Sequence, residues 1–236
     1  MHIHTTASDG TASPRQILEW VRDRTDLAVI AITDHNTVEG ALEAAALAEA
    51  GDYPFDVVVG QEVESCEGHV LGLWAPEPVR PDMTAAETVG AIHAQGGLAV
   101  AAHPFAPRWW HRHGLRRGSV LTYNSVPFDA FETANSTPLL GLANRYARLY
   151  WLANRERLAR TGGSDAHILA AIGSSRTLFP GESAEDLRRA IEERTTVVKG
   201  PDMSATRGLR YARRAPEIKR RGRDYKERQR EAEDEG

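Results

Sequence analysis

Imidazole and carboxylate side chains open this chain at a spacing that suits metal binding. The first ten residues, MHIHTTASDG, place His2 and His4 two positions apart, and Asp9 follows five positions later. Side chains of an extended segment alternate with a period of two, so both imidazoles point to the same side. Asp165 and His167 repeat this spacing in TGGSDAH. Each pair alone is a weak signal, but the two pairs together indicate metal binding.

Further candidate ligands stand next to short apolar runs. His35 comes soon after LAVIAIT, and Glu62 follows VVVG. His103 ends GLAVAAH, whereas His69 begins HVLGLW. In parallel α/β folds, the groups of one site converge at the C-terminal ends of the strands. Imidazoles and carboxylates without thiolates suit manganese, iron, zinc or nickel, and nine ligands exceed the needs of one ion. The sequence therefore predicts two or three bound divalent ions. The predicted ligands are His2, His4, Asp9, His35, Glu62, His69, His103, Asp165 and His167.

Short apolar runs alternate with helical segments along the body of the chain. The predicted strands are 27–33, 55–60, 69–74, 97–103, 128–134 and 196–200. Helix starts are predicted at Ser13, Thr37, Thr84 and Ser183, three of them with the partner of a capping box, and a long helix is predicted over about 139–159. Alternating strands and helices predict an α/β fold with a parallel sheet or barrel.

Seven stretches of this sequence, met in order, resemble the PHP (polymerase and histidinol phosphatase) family. They are HIHTTASDG, TDHNT, GQEVES, GHVLGL, AAHPF, GGSDAH and GSSRTLFPG, which together run from His2 to about Gly181. The resemblance implies a distorted (β/α)7 barrel with a trinuclear metal site at the C-terminal ends of the strands. The segment between Glu62 and His103 is too short for a large inserted cap domain, so we expect a compact stand-alone member. Members of the family usually have a strand before His2, and here that strand is either missing or supplied by residues outside this sequence.

The resemblance also assigns the ligands to three ions. The first set is His2, His4, Glu62 and Asp165. The second set is Asp9, His35 and His167. The third is Glu62, His69 and His103, with Glu62 bridging two ions. Asp34 directly precedes a ligand, so we expect it to orient a ligand rather than to bind metal.

A metal-dependent phosphoesterase is the activity that the resemblance implies. Manganese, iron or zinc ions would hold the phosphate, and a metal-bridging hydroxide would attack phosphorus. Glu62, Asp165 and His167 are the predicted catalytic residues. We expect a small phosphate ester as substrate: a nucleotide, a nucleoside bisphosphate or a short oligonucleotide. Alternatives are a histidinol-phosphate-type phosphatase, a carbamate or ester hydrolase on the same site, and a non-enzymatic, metal-bound scaffold for nucleic acid.

Arginines near the predicted site are candidates for substrate binding. The stretch PRWWHRHGLRRG begins four residues after His103. It is either an exposed loop or a cover that binds phosphate through arginine and stacks a base on Trp109 or Trp110. The predicted substrate-binding residues are Arg108, Arg112, Arg116, Arg117 and Arg176. His93 lies inside a predicted helix, and we expect it to be a packed or surface histidine.

Charge divides the chain at about residue 203. Of its 29 basic and 33 acidic residues, 11 and 7 lie in 204–236, so this tail carries +4 and the remainder −8. We expect a metallophosphoesterase domain over 1–203 and a charged tail over 204–236 that is helical or disordered and dispensable for chemistry. Cys66 is the single cysteine, which excludes an internal disulfide and a cysteine-based zinc site. The sequence predicts a cytoplasmic protein, because no apolar run suits a membrane span and no signal peptide is evident.

Overall fold

A computed structural model of the chain describes residues 1–106, 120–201 and 205–234. The helices are α1 (Pro14–Arg24), α2 (Glu39–Ala50), α3 (Ala85–Ala94), α4 (Val120–Ser125), α5 (Gly141–Asn154), α6 (Ala184–Glu192) and α7 (Ala205–Asp234). The strands are β1 (Val29–Ile32), β2 (Asp56–Ser65), β3 (Gly68–Leu73), β4 (Leu98–Ala101), β5 (Ala130–Asn135), β6 (Ala159–Gly163), β7 (Arg176–Leu178) and β8 (Val197–Lys199).

Capping boxes start three of the helices. The side chains of Ser13, Thr84 and Ser183 accept hydrogen bonds from the third residue of α1, α3 and α6, and the side chain of that residue bonds back. Helix α2 differs from the prediction, because its N-cap is Val38 and Thr37 accepts a single long bond of 3.3 Å from the Glu39 amide. These caps fix where helices begin between the strands.

Six strands form one curled sheet in the order β1-β2-β3-β4-β5-β6. Strands β1 and β2 are parallel, as are β4, β5 and β6. Strand β3 runs antiparallel to both of its neighbours, β2 and β4. The α/β class predicted from the sequence is confirmed. The sheet is mixed rather than parallel throughout, and the count of seven strand–helix units stays a prediction.

A tight hairpin explains this departure from a parallel sheet. Only Cys66 and Glu67 separate β2 from β3, whereas a parallel crossover needs a dozen or more residues. Because β3 runs backwards, its first residues lie at the same edge as the C-terminal ends of β1 and β4. His69 therefore reaches this edge although it stands at the start of a strand. Glu62 lies within the long strand β2 rather than after it.

The first four residues join the two outer strands of the sheet. The amide of Thr33, just after β1, donates to the Ile3 carbonyl at 2.9 Å. On the other side, the His4 amide donates to the Ala166 carbonyl at 3.0 Å, and the Ser164 amide donates to the Met1 carbonyl at 3.1 Å. This extended segment lies between β1 and the chain that follows β6, so His2 and His4 are carried to the shared edge.

Two predicted elements near the C-terminal half need correction. The helix predicted over about 139–159 ends at Asn154, and only its last predicted residue, Ala159, belongs to β6, a strand that the sequence analysis did not find. The segment predicted as a strand over 196–200 is β8, which pairs with β7 in a separate two-stranded sheet. Strand β6 has the sequence ARTGG, which carries little of the apolar signal that marks strands.

Helix α7 extends over most of the predicted charged tail. Tyr211 and Ile218 pack against an apolar cluster that contains Ile17 of α1 and Ile168. Tyr225 is buried, with 5% of its surface exposed. Across the part of the chain that the structure describes, no helix is long and apolar enough to cross a membrane.

Candidate metal centre

Buried imidazoles and carboxylates converge at the edge where β1, β2 and β4 end. Three groups of them have ligand atoms within 4.8 Å of one another. The groups are His2, His4, Glu62 and Asp165; His4, Asp9, His35 and His167; and His35, Glu62 and His69. The groups share members, so together they form one continuous cluster rather than three separate sites.

Glu62 lies at the middle of this cluster, and only 1% of its surface is exposed. Five imidazoles surround its carboxylate. The Oε2 atom lies 3.2 Å from His2 Nε2, 3.3 Å from His4 Nε2 and 3.3 Å from His35 Nδ1. The Oε1 atom lies 2.9 Å from His69 Nδ1 and 2.9 Å from His103 Nε2. One carboxylate that faces both ways in this manner is suited to bridge two ions.

The polar atoms of this cluster are suited to metal ions rather than to one another. Several buried atoms form no hydrogen bond of good geometry within the described chain, although they lie close together. They are His2 Nε2, His4 Nδ1 and Nε2, Asp9 Oδ1, His35 Nδ1 and Glu62 Oε2. A buried polar atom without a partner costs about 1–3 kcal/mol, and nitrogen and oxygen ligands are those that divalent transition metals accept. These residues therefore fit a group of bound divalent ions.

Opposite charges in the cluster keep its acids ionised. Burial alone would raise the pKa of Glu62, but His2, His35 and His69 more than offset this and hold its pKa well below the usual range. The pKa of Asp165 is likewise well below its usual range, because His2 and His4 outweigh the effect of burial. Ionised carboxylates are the form that binds metal.

A cavity of about 390 Å³ opens above the cluster. Its floor is formed by predicted ligands and Glu64, and its outer wall is one face of α7. The floor residues are Asp9, His35, Glu62, Glu64, His69, His103, Asp165 and His167, and the wall residues are Tyr211, Ala215, Ile218, Lys219, Gly222, Arg223, Tyr225 and Lys226. The cavity size lies within the range of small-molecule sites.

Comparison with known proteins identifies the family. A PHP-associated family profile matches residues 141–196. An uncharacterized protein of Methanocaldococcus jannaschii is 36% identical over 118 residues, which cover 45% of this chain and 67% of that relative. The chain belongs to the PHP family.

Two other similar proteins are described by a function. A 3',5'-nucleoside bisphosphate phosphatase of Chromobacterium violaceum is 34% identical over 89 residues, which are 36% of this chain and only 30% of that relative. The crystal structure of a candidate metal-dependent phosphoesterase of Bifidobacterium adolescentis has a TM-score of 0.60 at 20% identity, with 82% of this chain and 94% of that chain covered. This structural likeness shows a shared fold, and the resemblance to the PHP family is confirmed.

The structure brings together the nine residues that the PHP resemblance assigns to metal. One geometric group consists of the same four residues as the predicted first set. Another consists of the predicted second set together with His4. The third group contains His35 where the prediction has His103, although His103 Nε2 lies 2.9 Å from Glu62 Oε1. Their role as ligands, and that of Glu62, Asp165 and His167 in catalysis, stays a prediction.

Sequence reasoning missed a buried acid that supports the PHP site from behind. Glu132 of β5 is 1% exposed, and its Oε1 accepts from His2 Nδ1 at 3.0 Å. Its Oε2 accepts from the His103 amide at 2.7 Å and from Asn135 Nδ2 at 2.8 Å. Gly163 leaves room for this carboxylate, because a Cβ there would lie 2.0 Å from Glu132 Oε1. A carboxylate that holds one nitrogen of an imidazole directs the other nitrogen toward metal.

Asp34 fixes the segment between two predicted ligands. Its carboxylate accepts from the Thr5 amide and hydroxyl at 2.7 Å each, and from the Ser8 hydroxyl at 2.5 Å. These bonds hold the turn that connects His4 to Asp9. We expected Asp34 to orient a ligand. Its contacts are with Thr5 and Ser8, and through them it shapes the turn between two predicted ligands.

Backbone conformation at the site is unusual for three predicted ligands. His2, His103 and Asp165 have φ angles of 66°, 27° and 49°, in or near the left-handed region. Residues other than glycine rarely adopt this region, and such residues cluster at functional sites. Thr137 helps to hold Asp165, since its hydroxyl donates to Asp165 Oδ2 at 2.7 Å.

The predicted substrate-binding arginines fall in two different places. Arg108, Arg112, Arg116 and Arg117 lie outside the described residues, as do Trp109 and Trp110. Arg176 is described, and it does not line the cavity. Its guanidinium lies 3.5 Å from Asp26 Oδ1 at the other end of β1. His93 is half-buried, and its Nε2 lies 2.8 Å from Asp129 Oδ2, away from the cluster.

Wall residues on α7 are the other group that the sequence analysis missed. Tyr211, Ala215, Ile218, Gly222 and Tyr225 recur at alternating steps of four and three. This is the spacing of one helix face, so it could have marked a buried stripe. The stripe is hard to see because arginines and glutamates surround it and because two of its members are alanine and glycine.

Proposed function

We propose that this PHP-family protein is a metal-dependent phosphoesterase that removes a phosphate group from a nucleotide, a nucleoside bisphosphate or a short oligonucleotide. The arrangement around Glu62 carries this proposal: three overlapping groups of metal-binding side chains lie at the floor of one open cavity. We also propose that residues 1–203 form the metallophosphoesterase domain.

The side chains of the floor supply the binding chemistry. Asp9, Glu62 and Asp165 provide negative charge for cations, and the imidazoles provide neutral nitrogen ligands. Bound divalent ions would polarise the phosphate ester and activate water toward phosphorus. The described residues that line the cavity include no serine, threonine or cysteine, so none of these nucleophiles faces it there. This fits hydrolysis by water rather than through a covalent enzyme intermediate.

A relative supports the choice of substrate class. The protein of Chromobacterium violaceum is a 3',5'-nucleoside bisphosphate phosphatase, and the part that matches this chain is 34% identical. A cavity of about 390 Å³ has room for a small molecule but not for a folded macromolecule. A nucleoside bisphosphate meets both conditions.

Turnover of a defined panel tests the proposal. Protein loaded with Mn²⁺ is given adenosine 3',5'-bisphosphate, a short oligonucleotide, histidinol phosphate, p-nitrophenyl phosphate, p-nitrophenyl acetate and a carbamate ester. Release of inorganic phosphate from the adenosine compound at the highest kcat/KM supports the proposal. Preference for histidinol phosphate would move the substrate to an amino alcohol, and turnover of the acetate or carbamate alone would indicate a different hydrolase. No turnover with metal bound would favour a scaffold.

A further inference from the structure

Helix α7 is anchored directly to the metal centre. The Tyr225 hydroxyl donates to the backbone carbonyl of His35, a predicted ligand. One residue further, Lys226 Nζ lies 3.3 Å from Glu64 Oε1 on the cavity floor. Gly222 brings the helix backbone close to Asp9, since a Cβ on it would lie 3.6 Å from the Asp9 Cβ. The helix therefore forms a fixed wall of the cavity.

Two cations on this wall have no acidic partner among the described residues. Lys219 and Arg223 are one helical turn apart, and both line the cavity. The third cation of the wall, Lys226, contacts Glu64, and elsewhere on α7 Arg214 and Arg221 contact Glu217. Within the described chain, neither Lys219 nor Arg223 lies in an ion pair. Their charges are thus available to an anion inside the cavity.

The floor and the wall of the cavity differ in how they can bind a phosphate. The floor is suited to metal ions, which would take the phosphate that is cleaved. Lys219 and Arg223 present a point charge and a planar guanidinium, and the latter can donate two parallel hydrogen bonds to a phosphate. A substrate with a second phosphate would place it against α7 while the first lies on the floor.

We propose that Lys219 and Arg223 bind a second, uncleaved phosphate of the substrate, and so select bisphosphorylated molecules over monoesters. This inference rests on the proposed phosphoesterase function and names a substrate feature for it. It moves the source of specificity to α7, within the tail that the sequence analysis expected to be dispensable.

The test compares two double variants of the full chain. Lys219→Gln/Arg223→Gln removes both wall cations. Arg220→Gln/Arg230→Gln removes the same charge from the same helix at positions that do not line the cavity. Kinetic constants are measured with Mn²⁺ for adenosine 3',5'-bisphosphate and for p-nitrophenyl phosphate, which has no second phosphate. Elemental analysis of each variant reports its metal content without relying on activity.

We expect the wall variant to raise KM for the bisphosphate about ten- to a hundredfold, which is the effect of losing one or two charge-assisted hydrogen bonds. The loss of kcat/KM on p-nitrophenyl phosphate should be about threefold or less, since only screened long-range charge acts there. The control variant should behave like the wild type on both substrates, and metal content should be unchanged in all three proteins.

Other outcomes overturn the inference in distinguishable ways. Equal losses on both substrates, or lost metal, would show that the two cations support the metal centre or the fold. Equal behaviour of the two double variants would show that the wall does not bind phosphate. Wild-type protein that hydrolyses monoesters but no bisphosphate would refute the inference and leave the phosphoesterase proposal standing. Wild-type protein that is inactive on every phosphate ester with metal bound would refute the proposed function itself.

Discussion

The floor and the outer wall of the cavity are built on different principles. The floor is assembled from segments far apart in sequence, and most of its side chains are buried and close to one another. The wall comes from one helix, in which Tyr225 is buried and Tyr211 half-buried while Lys219 and Arg223 are exposed. A buried, interlocked set can position metal ions closely, whereas exposed side chains on one face can adapt to the rest of a substrate.

Removing the central carboxylate of the floor should have the largest effect on metal binding and activity. Glu62→Gln keeps the shape of the side chain but removes the charge that five imidazoles surround. We expect loss of bound metal and a fall in kcat of more than about a thousandfold, because the ions provide most of the catalytic charge stabilisation. Elemental analysis and a phosphate-release assay measure the two effects.

His93→Ala is the matched control for the floor. His93 contacts Asp129 rather than the cluster, so this variant should retain its metal and most of its activity. Should His93→Ala lose as much metal as Glu62→Gln, the assignment of ligands to the floor would be wrong.

A change directly behind the floor should have a smaller effect. Glu132→Gln weakens the contacts of this side chain with the His2 ring and the His103 amide. Loss of such a supporting carboxylate commonly lowers metal affinity about ten- to a hundredfold. Titration of metal-free protein with Mn²⁺ measures the change. An affinity equal to that of the wild type would mean that Glu132 only fills space, in which case Glu132→Ala should lower the free energy of unfolding without altering the metal affinity of the folded protein.

The sequence predicted the floor far better than the wall, for a physical reason. Metal ligands are few residue types at short, fixed spacings such as His2 and His4, so a local pattern shows them. Glu132 was missed because the two acids of the run FDAFETA, Asp129 and Glu132, do not by themselves reveal which of them faces the site. Such a buried acid in an apolar strand is itself a signal, since it needs partners.

For the fold as well, features set by neighbouring residues were predicted, and features set by distant residues were not. Helix starts at Ser13, Thr84 and Ser183 depend on four consecutive residues, and all three are found. The direction of β3 depends on a two-residue turn whose residues, Cys66 and Glu67, carry no strong hairpin signature. The docking of α7 depends on a stripe spread over about fifteen residues, in which tyrosine, alanine and glycine replace the usual aliphatic side chains.

Protons should compete with metal at the floor and not at the wall. Burial would lower the pKa of His167, but Asp9 and Asp165 raise it to about 10. The metal-free site therefore holds a proton on His167 at neutral pH, and metal binding must displace it. Below pH 10 the apparent affinity for Mn²⁺ should then rise with pH, by about tenfold per unit for each proton displaced.

Calorimetric titration with Mn²⁺ at pH 6, 7 and 8 measures this slope, and buffers with different ionisation enthalpies count the protons released. The double variant Lys219→Gln/Arg223→Gln should show the same slope, because the wall cations bind no metal. An affinity that is the same at pH 6 and pH 8 would contradict the protonated state assigned to His167.

The smallest predicted effect concerns the hydrogen bond between Tyr225 of the wall and His35 of the floor. Tyr225 is buried, and burial together with nearby acids, Glu64 first among them, raises its pKa, so its hydroxyl stays protonated and donates to the His35 carbonyl. Tyr225→Phe removes this donor while keeping the ring. We expect α7 to detach more often, by about fivefold, which corresponds to the ~1 kcal/mol of one hydrogen bond. Amide hydrogen exchange across residues 205–234 measures this opening, because exchange reports the free energy of local unfolding.

Tyr146→Phe on α5 is the control, since Tyr146 is 57% exposed and its substitution should leave exchange in α7 unchanged. Metal content should stay constant in both variants, because neither side chain is a predicted ligand. Unchanged exchange in Tyr225→Phe would show that this hydrogen bond does not hold α7, and that the packing of Tyr211 and Ile218 and the contact of Lys226 with Glu64 fix the wall instead.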